Sequence, residues 1–425
     1  MMCKKSALSS NKRESLGVSR PFFFLRYFFY YLVGFSLFYI DGIESNDGLS
    51  IGQLWKFPVL LWLTYKVMNR VRWNFVKMRL AFSLCQVFNI DIINHFTSCI
   101  SLFMKSLSLP LCVTFFDIFV SKKKLILFLR TFSQIVVISF IPFWLGILEE
   151  RHTFVGATVI GTKSIIGVFN NAHTASIYLS STLLFLVFYI RYIAKEKEDR
   201  IYNLIIIILG CYFLIHTYVR TGYLMFVLGL FYMLFIAKRT VVSKIVHFVW
   251  GVIFVSIIGV VLLSENQSME DRLMERNIYK EDEGISGSGR LAFWNTSIKM
   301  WMESDNVMNI LSGHGMTALK QRQYKENGLH IFSHNGFLDA LVVNGLVGFV
   351  FLISYYILLF RFLSRYKTSK FYRLACAWLL SDISFQMVQG GYFVFYDVVS
   401  AIIILLPKKD LAETLCYKQD TVNYI

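Results

Sequence analysis

Runs of about twenty apolar residues recur along almost the whole chain, and few folds accommodate them. A helix of that length spans the hydrocarbon of a bilayer, whereas a membrane barrel strand needs about half as many residues and alternates in polarity. These runs do not alternate, so the expectation is an all-α polytopic membrane protein. With 56% of residues hydrophobic and only 16% charged, a soluble globule and a disordered chain are both excluded. The runs lie near 22–40, 51–68, 80–95, 98–120, 125–147, 171–192, 201–218, 221–237, 245–264, 336–360, 371–388 and 391–406, which predicts about 12 transmembrane helices. Asn89, Asp91 and Asn94 interrupt the third run, which makes it the weakest span.

The net charge of +16 would suggest nucleic acid in a soluble protein, but here the placement of charge decides. With the N-terminus in the cytoplasm, 28 of the 43 Lys and Arg fall in inner segments, among them 66–79, 121–124, 191–200 and 361–373. The short outer loops hold only Arg151, Lys163 and Arg220. This satisfies the positive-inside rule and predicts both termini in the cytoplasm, a membrane partner and no nucleic acid. It divides the chain into an N-terminal bundle of about nine helices (1–264), one large extracytoplasmic loop (265–335) and C-terminal helices with a short tail (336–425). No small-residue cleavage site follows the first run, so that run is expected to be a retained helix. None of the seven cysteines lies in 265–335, so no disulfide framework is implied there. The loop's eight Lys and Arg face ten Asp and Glu, so an anion held there must be gripped by particular arginines.

Arg220 sits at the tip of the outer hairpin His216-Thr217-Tyr218-Val219-Arg220-Thr221-Gly222, against the usual charge bias. Its planar fork suits pyrophosphate; a side chain snorkelling to the interface is the alternative. Arg290 follows Gly287-Ser288-Gly289 and opens Leu291–Met302, where Phe293, Trp294, Ile298 and Trp301 recur at helical spacing. An amphipathic helix on the membrane surface is expected, with Arg290 in a first turn whose N–H groups also attract anions. Trp294 and Trp301 read as interfacial anchors, and Trp294 also counts as a candidate substrate contact. His334, at the mouth of the run 336–360, can accept a proton from a sugar hydroxyl as a neutral imidazole. Asp339, five residues on, is expected on a different helix face and not to orient it.

Asn171 and His173, which open the sixth run, can hydrogen-bond sugar hydroxyls, with a helix N-cap as the alternative for Asn171. His314, His330 and Asn335 complete the candidate substrate contacts. Glu281-Asp282-Glu283 reads as solvated loop, and no Cys-x-x-Cys, His-Glu-x-x-His or Gly-rich nucleotide loop appears. No metal and no cofactor are therefore expected. The charges Arg26, Lys56, Lys105, Asp117, Arg130, Asp382 and Asp397, set in or beside apolar runs, line a cavity or pair with one another.

At these residues the chain resembles the superfamily of bacterial O-antigen polymerases and O-antigen ligases. The likeness comprises Gly167-x-Phe169-x-Asn171, Arg220-Thr221-Gly222, Ser288-Gly289-Arg290-x-x-x-Trp294, Gly313-x-Gly315 and His334-Asn335-x-x-Leu338 with Gly345 and Gly348 beyond, over about residues 160–365. The resemblance implies a C-type glycosyltransferase-like fold at the outer face of the cytoplasmic membrane, independent of nucleotide sugars and metal. It implies an undecaprenyl-pyrophosphate-linked oligosaccharide as donor, with a second such unit as acceptor in a polymerase. Flippase and chain-length regulator proteins are the partners such a system implies. By position, Arg220 and Arg290 would hold the pyrophosphate and His334 would act as base. The loop is short for a ligase and has no large extra outer domain, which favours a polymerase of O-antigen, capsular polysaccharide or exopolysaccharide. Ligase-type transfer is the alternative. A non-enzymatic flippase of lipid-linked sugar, a different class, would predict an internal repeat that is not evident.

A reporter fused after Glu283 should read as extracytoplasmic and one fused after Lys367 as cytoplasmic. Both on one side would overturn the twelve-span topology.

Overall fold

The computed structural model describes residues 30–37, 39, 51–87, 96–150, 164–169, 171–236 and 290–422, and every regular element among them is helical. In the N-terminal part these are α1 (Ile51–Val67), α2 (Asn74–Cys85), α3 (Phe96–Phe119), α4 (Lys122–Ile138), the single turn α5 (Ile141–Trp144), α6 (Ala172–Tyr192), α7 (Lys197–His216) and α8 (Arg220–Phe231). Three helices follow within the expected outer loop: α9 (Arg290–Met302), α10 (Val307–Ser312) and α11 (Met316–Asn327). The chain then forms α12 (Gly336–Ser364), α13 (Tyr372–Val388) and α14 (Val394–Val422). Five stretches among the described residues are long and apolar enough to cross a bilayer: Cys99–Phe119, Lys122–Trp144, Ala172–Tyr192, Lys197–His216 and Gly336–Ser364.

Several expectations change. The third run was read as 80–95, but the helix there begins at Asn74 and ends at Cys85. Arg79, grouped by sequence with an inner basic segment, is 4% exposed in the bundle core, with its guanidinium over the Phe82, Tyr355 and Tyr392 rings. The last run was read as ending at 406, yet α14 continues to Val422. Charge pairing carries it beyond the apolar stretch: Lys408 Nζ meets Asp117 Oδ1 at 2.5 Å, and Lys122 Nζ meets Asp410 Oδ1 at 3.1 Å and Glu413 Oε2 at 2.6 Å. The run 245–264, Arg26 and Glu281-Asp282-Glu283 lie outside the described residues.

These contacts sort the chain into two ends. At one end the basic segments meet: beside the α14 pairs, Lys370 Nζ donates to the Tyr192 carbonyl (3.4 Å), and Arg130 pairs with Asp199 nearby (2.7 Å). At the other end the Ile165 N–H donates to the His216 carbonyl (2.9 Å), which joins the stretch before α6 to the hairpin before α8. Between the ends, small residues let helices approach closely. Gly222 faces Ser176, where a Cβ would lie 2.5 Å from the serine Cβ, and Ser180 Oγ donates to the Gly222 carbonyl (2.7 Å). One helical stretch further on, Ser381 Oγ donates to the Met225 carbonyl (2.7 Å), so α8 is held by both α6 and α13.

The loop helices are bound into the bundle. α12 breaks at Gly345 (φ 65°, ψ −171°), which removes the carbonyls of the preceding turn from their usual helical donors. The loop supplies replacements: the His314 N–H donates to the Val342 carbonyl (2.8 Å) and the Gly315 N–H to the Val343 carbonyl (3.3 Å). Backbone lies against backbone here. A Cβ on Gly345 would stand 2.3 Å from the Leu311 carbonyl, and one on Gly313 2.2 Å from the Val343 oxygen. α9 is then fixed by a polar seam rather than lying freely on a membrane surface. Gln323 Nε2 donates to the Phe293 carbonyl (2.9 Å) and Ser297 Oγ (3.0 Å), and Thr296 Oγ1 donates to Glu326 (2.7 Å). Phe293, Thr296 and Ser297 form its buried face, while Leu291 and Ile298 are exposed.

Gly345→Ala should lower thermal stability in detergent by more than the roughly 1–3 kcal/mol that a side chain in this glycine-only backbone region costs, because the added methyl also strikes backbone. Wild-type stability in a thermal melt of this variant would show that the loop–span junction is not built as described.

Candidate functional site

Four of the residues singled out by sequence come together where the loop meets the bundle. Arg220 opens α8, His173 lies in the first turn of α6, Arg290 opens α9, and His334 immediately precedes Asn335, the N-cap of α12. Gly222 is what allows the start of α8 to settle on α6, and Ser176 Oγ donates back to the His173 carbonyl (2.8 Å). His173 is within electrostatic reach of both His334 and Arg290, and Arg220 is within reach of Arg290. Burial, and then the like charge of Arg220, push the Arg290 guanidinium below its usual value, though an arginine stays charged. The Arg290 Nη2 donates to Gln389 Oε1, a neutral acceptor, at 3.4 Å.

His334 has left-handed backbone (φ 55°); among the described non-glycine residues it shares positive φ only with Tyr218, two residues before Arg220. Such strain concentrates where surrounding structure over-determines a position. The His334 ring lies 6.1 Å from that of Phe293. Burial first, and the Arg290 charge second, hold its imidazole well below the usual histidine range, at about 4. It is thus neutral and able to accept a proton near pH 7.

His334 also lines a cavity of about 390 Å³ with His330, Lys105, Lys320, Asp339 and Gln389. Lys320 lies over the Phe332 ring (4.8 Å), and His330 stacks on Tyr324 at the exposed rim (4.2 Å). Gly390 and Gly391, both with positive φ, press the turn between α13 and α14 onto the start of α12. A Cβ on Gly390 would come 2.7 Å from the Gly336 nitrogen. Among the described residues no group of three or more His, Cys, Asp or Glu is arranged to hold a metal ion.

The other candidates have structural assignments. Asn171 Oδ1 caps α6, accepting from the Thr174 N–H (2.8 Å), and Asn335 Oδ1 caps α12, accepting from the Phe337 and Leu338 N–H groups (3.1 Å each). His314 belongs to the loop–span junction and does not line the cavity; burial lowers its pKa, partly offset by a hydrogen bond to the Met300 carbonyl. Trp294 is half-buried, and its Nε1 has no hydrogen-bond partner among the described residues. Sequence reading missed Gln389 and the Gly390-Gly391 pair, although a Gly-Gly dipeptide between two apolar runs signals a turn. Asp339 lines the same cavity as His334 and bonds to Ser333.

Residues 204–353 match the family model described as O-antigen ligase. Over that stretch, about a third of the sequence, the chain is similar to the O-antigen ligase family. That match takes in Arg220, Arg290, Gly313-x-Gly315, His334-Asn335, Gly345 and Gly348, so the resemblance read from the sequence motifs holds over the region that carries most of them. Asn171 and His173 fall before it. No curated protein matches the chain. The apolar spans and the family match together make this a membrane protein.

Because the Arg290 charge and burial disfavour the imidazolium, the acid limb of kcat/KM, which reports the free protein, should lie near pH 4 rather than 6.5. An anion bound beside Arg290 would offset that charge, and the limb of kcat should then lie higher. Rate profiles against pH with a limb of kcat/KM at 6.5 would show instead that His334 is solvated or uninvolved.

Proposed function

We propose that this protein is a membrane glycosyltransferase that polymerises undecaprenyl-pyrophosphate-linked oligosaccharide units at the outer face of the bacterial cytoplasmic membrane. The observation that carries the reading is that His334 belongs both to the cluster with Arg220 and Arg290 and to the cavity that Lys105, Lys320 and Asp339 also line. Two guanidiniums that repel each other form a receptor for a pyrophosphate, whose charge relieves the repulsion and whose oxygens match their forks. The cavity, with Lys105, Lys320 and His330 on its walls, is suited to the hydroxyls of an acceptor glycan.

The acceptor hydroxyl attacks the anomeric carbon of the donor. The bond from that carbon to the phosphate oxygen breaks, undecaprenyl pyrophosphate leaves, and the hydroxyl proton passes to His334. The arginines stabilise charge as it develops on the leaving pyrophosphate, and the neutral imidazole removes the proton. Transfer of the glycan to another acceptor is the second reading, favoured by the ligase description of the matching family.

The test is polymer length on a polysaccharide gel from cells lacking the native copy, with protein level measured by blot. Arg220→Lys and Arg290→Lys keep a charge but lose the fork, and should lose roughly tenfold to a hundredfold in rate. His334→Ala should lose about 10²–10⁴-fold while undecaprenyl pyrophosphate still binds. Loss of the polymer ladder with accumulation of single units is the expected result. A single unlengthened band in both wild type and variants would favour the ligase reading, and full-length polymer from His334→Ala would remove this site from the chemistry.

A further inference from the structure

The imidazole at the centre of the site is held by a clamp that touches its neighbours rather than the ring. Asp339 Oδ1 accepts two hydrogen bonds from Ser333, one from its N–H (2.9 Å) and one from its hydroxyl (2.6 Å). A hydroxyl has one proton to give, so Ser333 Oγ, having donated to the carboxylate, is the acceptor for the Asn335 N–H at 3.2 Å. Asn335 in turn caps α12 through Phe337 and Leu338, and its carbonyl accepts from the Asp339 N–H (2.8 Å). Both residues flanking His334 are thereby tied to the first turn of α12, and His334 is left in the left-handed region between them. Ser333 is fully buried. Gly336, the first residue of α12, is packed so closely that a Cβ there would stand 2.1 Å from Gln386 Oε1.

Asp339 is expected not to orient His334 and makes its side-chain bonds to Ser333 instead, a link that helix periodicity does not reveal. The residue before His334 folds back over the helix start and presents its N–H and hydroxyl to the aspartate. We infer that Asp339, acting through Ser333, is a positioning residue that holds the His334 imidazole between the arginine pair and the cavity. This rests on the reading of His334 as proton acceptor. The clamp needs an acceptor oxygen at position 339 and a hydroxyl at 333; it does not need a negative charge.

That distinction gives the test. Asp339→Asn keeps an acceptor oxygen in the same place, Asp339→Leu removes it, and Ser333→Ala removes the hydroxyl link. Each is compared with His334→Ala for the initial rate of polymer formation in membranes carrying the strain's own lipid-linked units. Affinity for undecaprenyl pyrophosphate is measured on the purified variants. The expected pattern is Asp339→Asn within about threefold of wild type, and Asp339→Leu and Ser333→Ala slower by about tenfold or more, with pyrophosphate affinity unchanged in all. If Asp339→Asn is as slow as Asp339→Leu, the carboxylate acts by its charge or on substrate directly, and the positioning role is overturned. Wild-type rates for Asp339→Leu or Ser333→Ala beside a slow His334→Ala overturn the clamp alone, whereas a wild-type rate for His334→Ala overturns the reading beneath it. Should Asp339→Leu fail to accumulate, the pair Ser333→Ala slow and Asp339→Asn active decides for the clamp, and any other pairing decides against it.

Discussion

The break in α12 at Gly345 is the constraint on which the site depends. A straight helix would satisfy its own carbonyls and leave the loop helices without an anchor in the bundle. By turning the backbone to φ 65°, Gly345 releases the Val342 and Val343 carbonyls to the N–H groups of His314 and Gly315. These are backbone bonds between partly buried groups, each costly to leave unmade. The glycines at 313 and 345 are needed because the two chains touch at backbone distance. Through α11 and its polar seam, that junction sets the height of α9, and thereby of Arg290, over the start of α12.

The electrostatics of the site follow from placing like charges together in a partly dry space. Arg220 and Arg290 raise each other's energy, and both the burial and the positive field keep His334 neutral. On the proposed reading, an anion lying against both guanidiniums would lower the energy of each. A proton acceptor next to a cation is poised at low basicity, and it becomes a better base when the anion arrives. On the proposed reading, binding and proton transfer would be coupled through charge.

Beneath the cavity, the turn Gly391-Tyr392 stands on a buried polar group that gives the site a rigid floor. Arg79 lies over the Tyr392 ring at 5.0 Å, Asp382 accepts from Tyr356 (2.8 Å) and Tyr396 (2.9 Å), and Asp397 accepts from Ser108. Tyr392 lines both the site cavity and this inner pocket. A buried arginine beside two carboxylates joins α2, α3, α12, α13 and α14 around one charge set, which is expensive in a membrane interior and correspondingly resistant to sliding of one helix past another.

Apolar run length alone determined that this chain is helical and membrane-bound, because in hydrocarbon a backbone must satisfy its own hydrogen bonds. Local chemistry in the sequence also marked Arg220, Arg290 and His334, since a charged or titrating group at the mouth of an apolar run has little reason to be there otherwise. The tertiary structure alone decided which marked residues meet. Asn171 and Asn335 read as sugar contacts, but their carbonyl oxygens are taken up by orphan N–H groups of helices that begin at those positions. His314 reads as a candidate substrate contact, yet its backbone N–H is committed to the Val342 carbonyl of the kinked span. The link from Asp339 to Ser333 was not legible because periodicity describes residues within a helix, and Ser333 lies before one. Gln389 and Arg79 carried no signal, since their roles come from partners about a hundred or more residues distant along the chain.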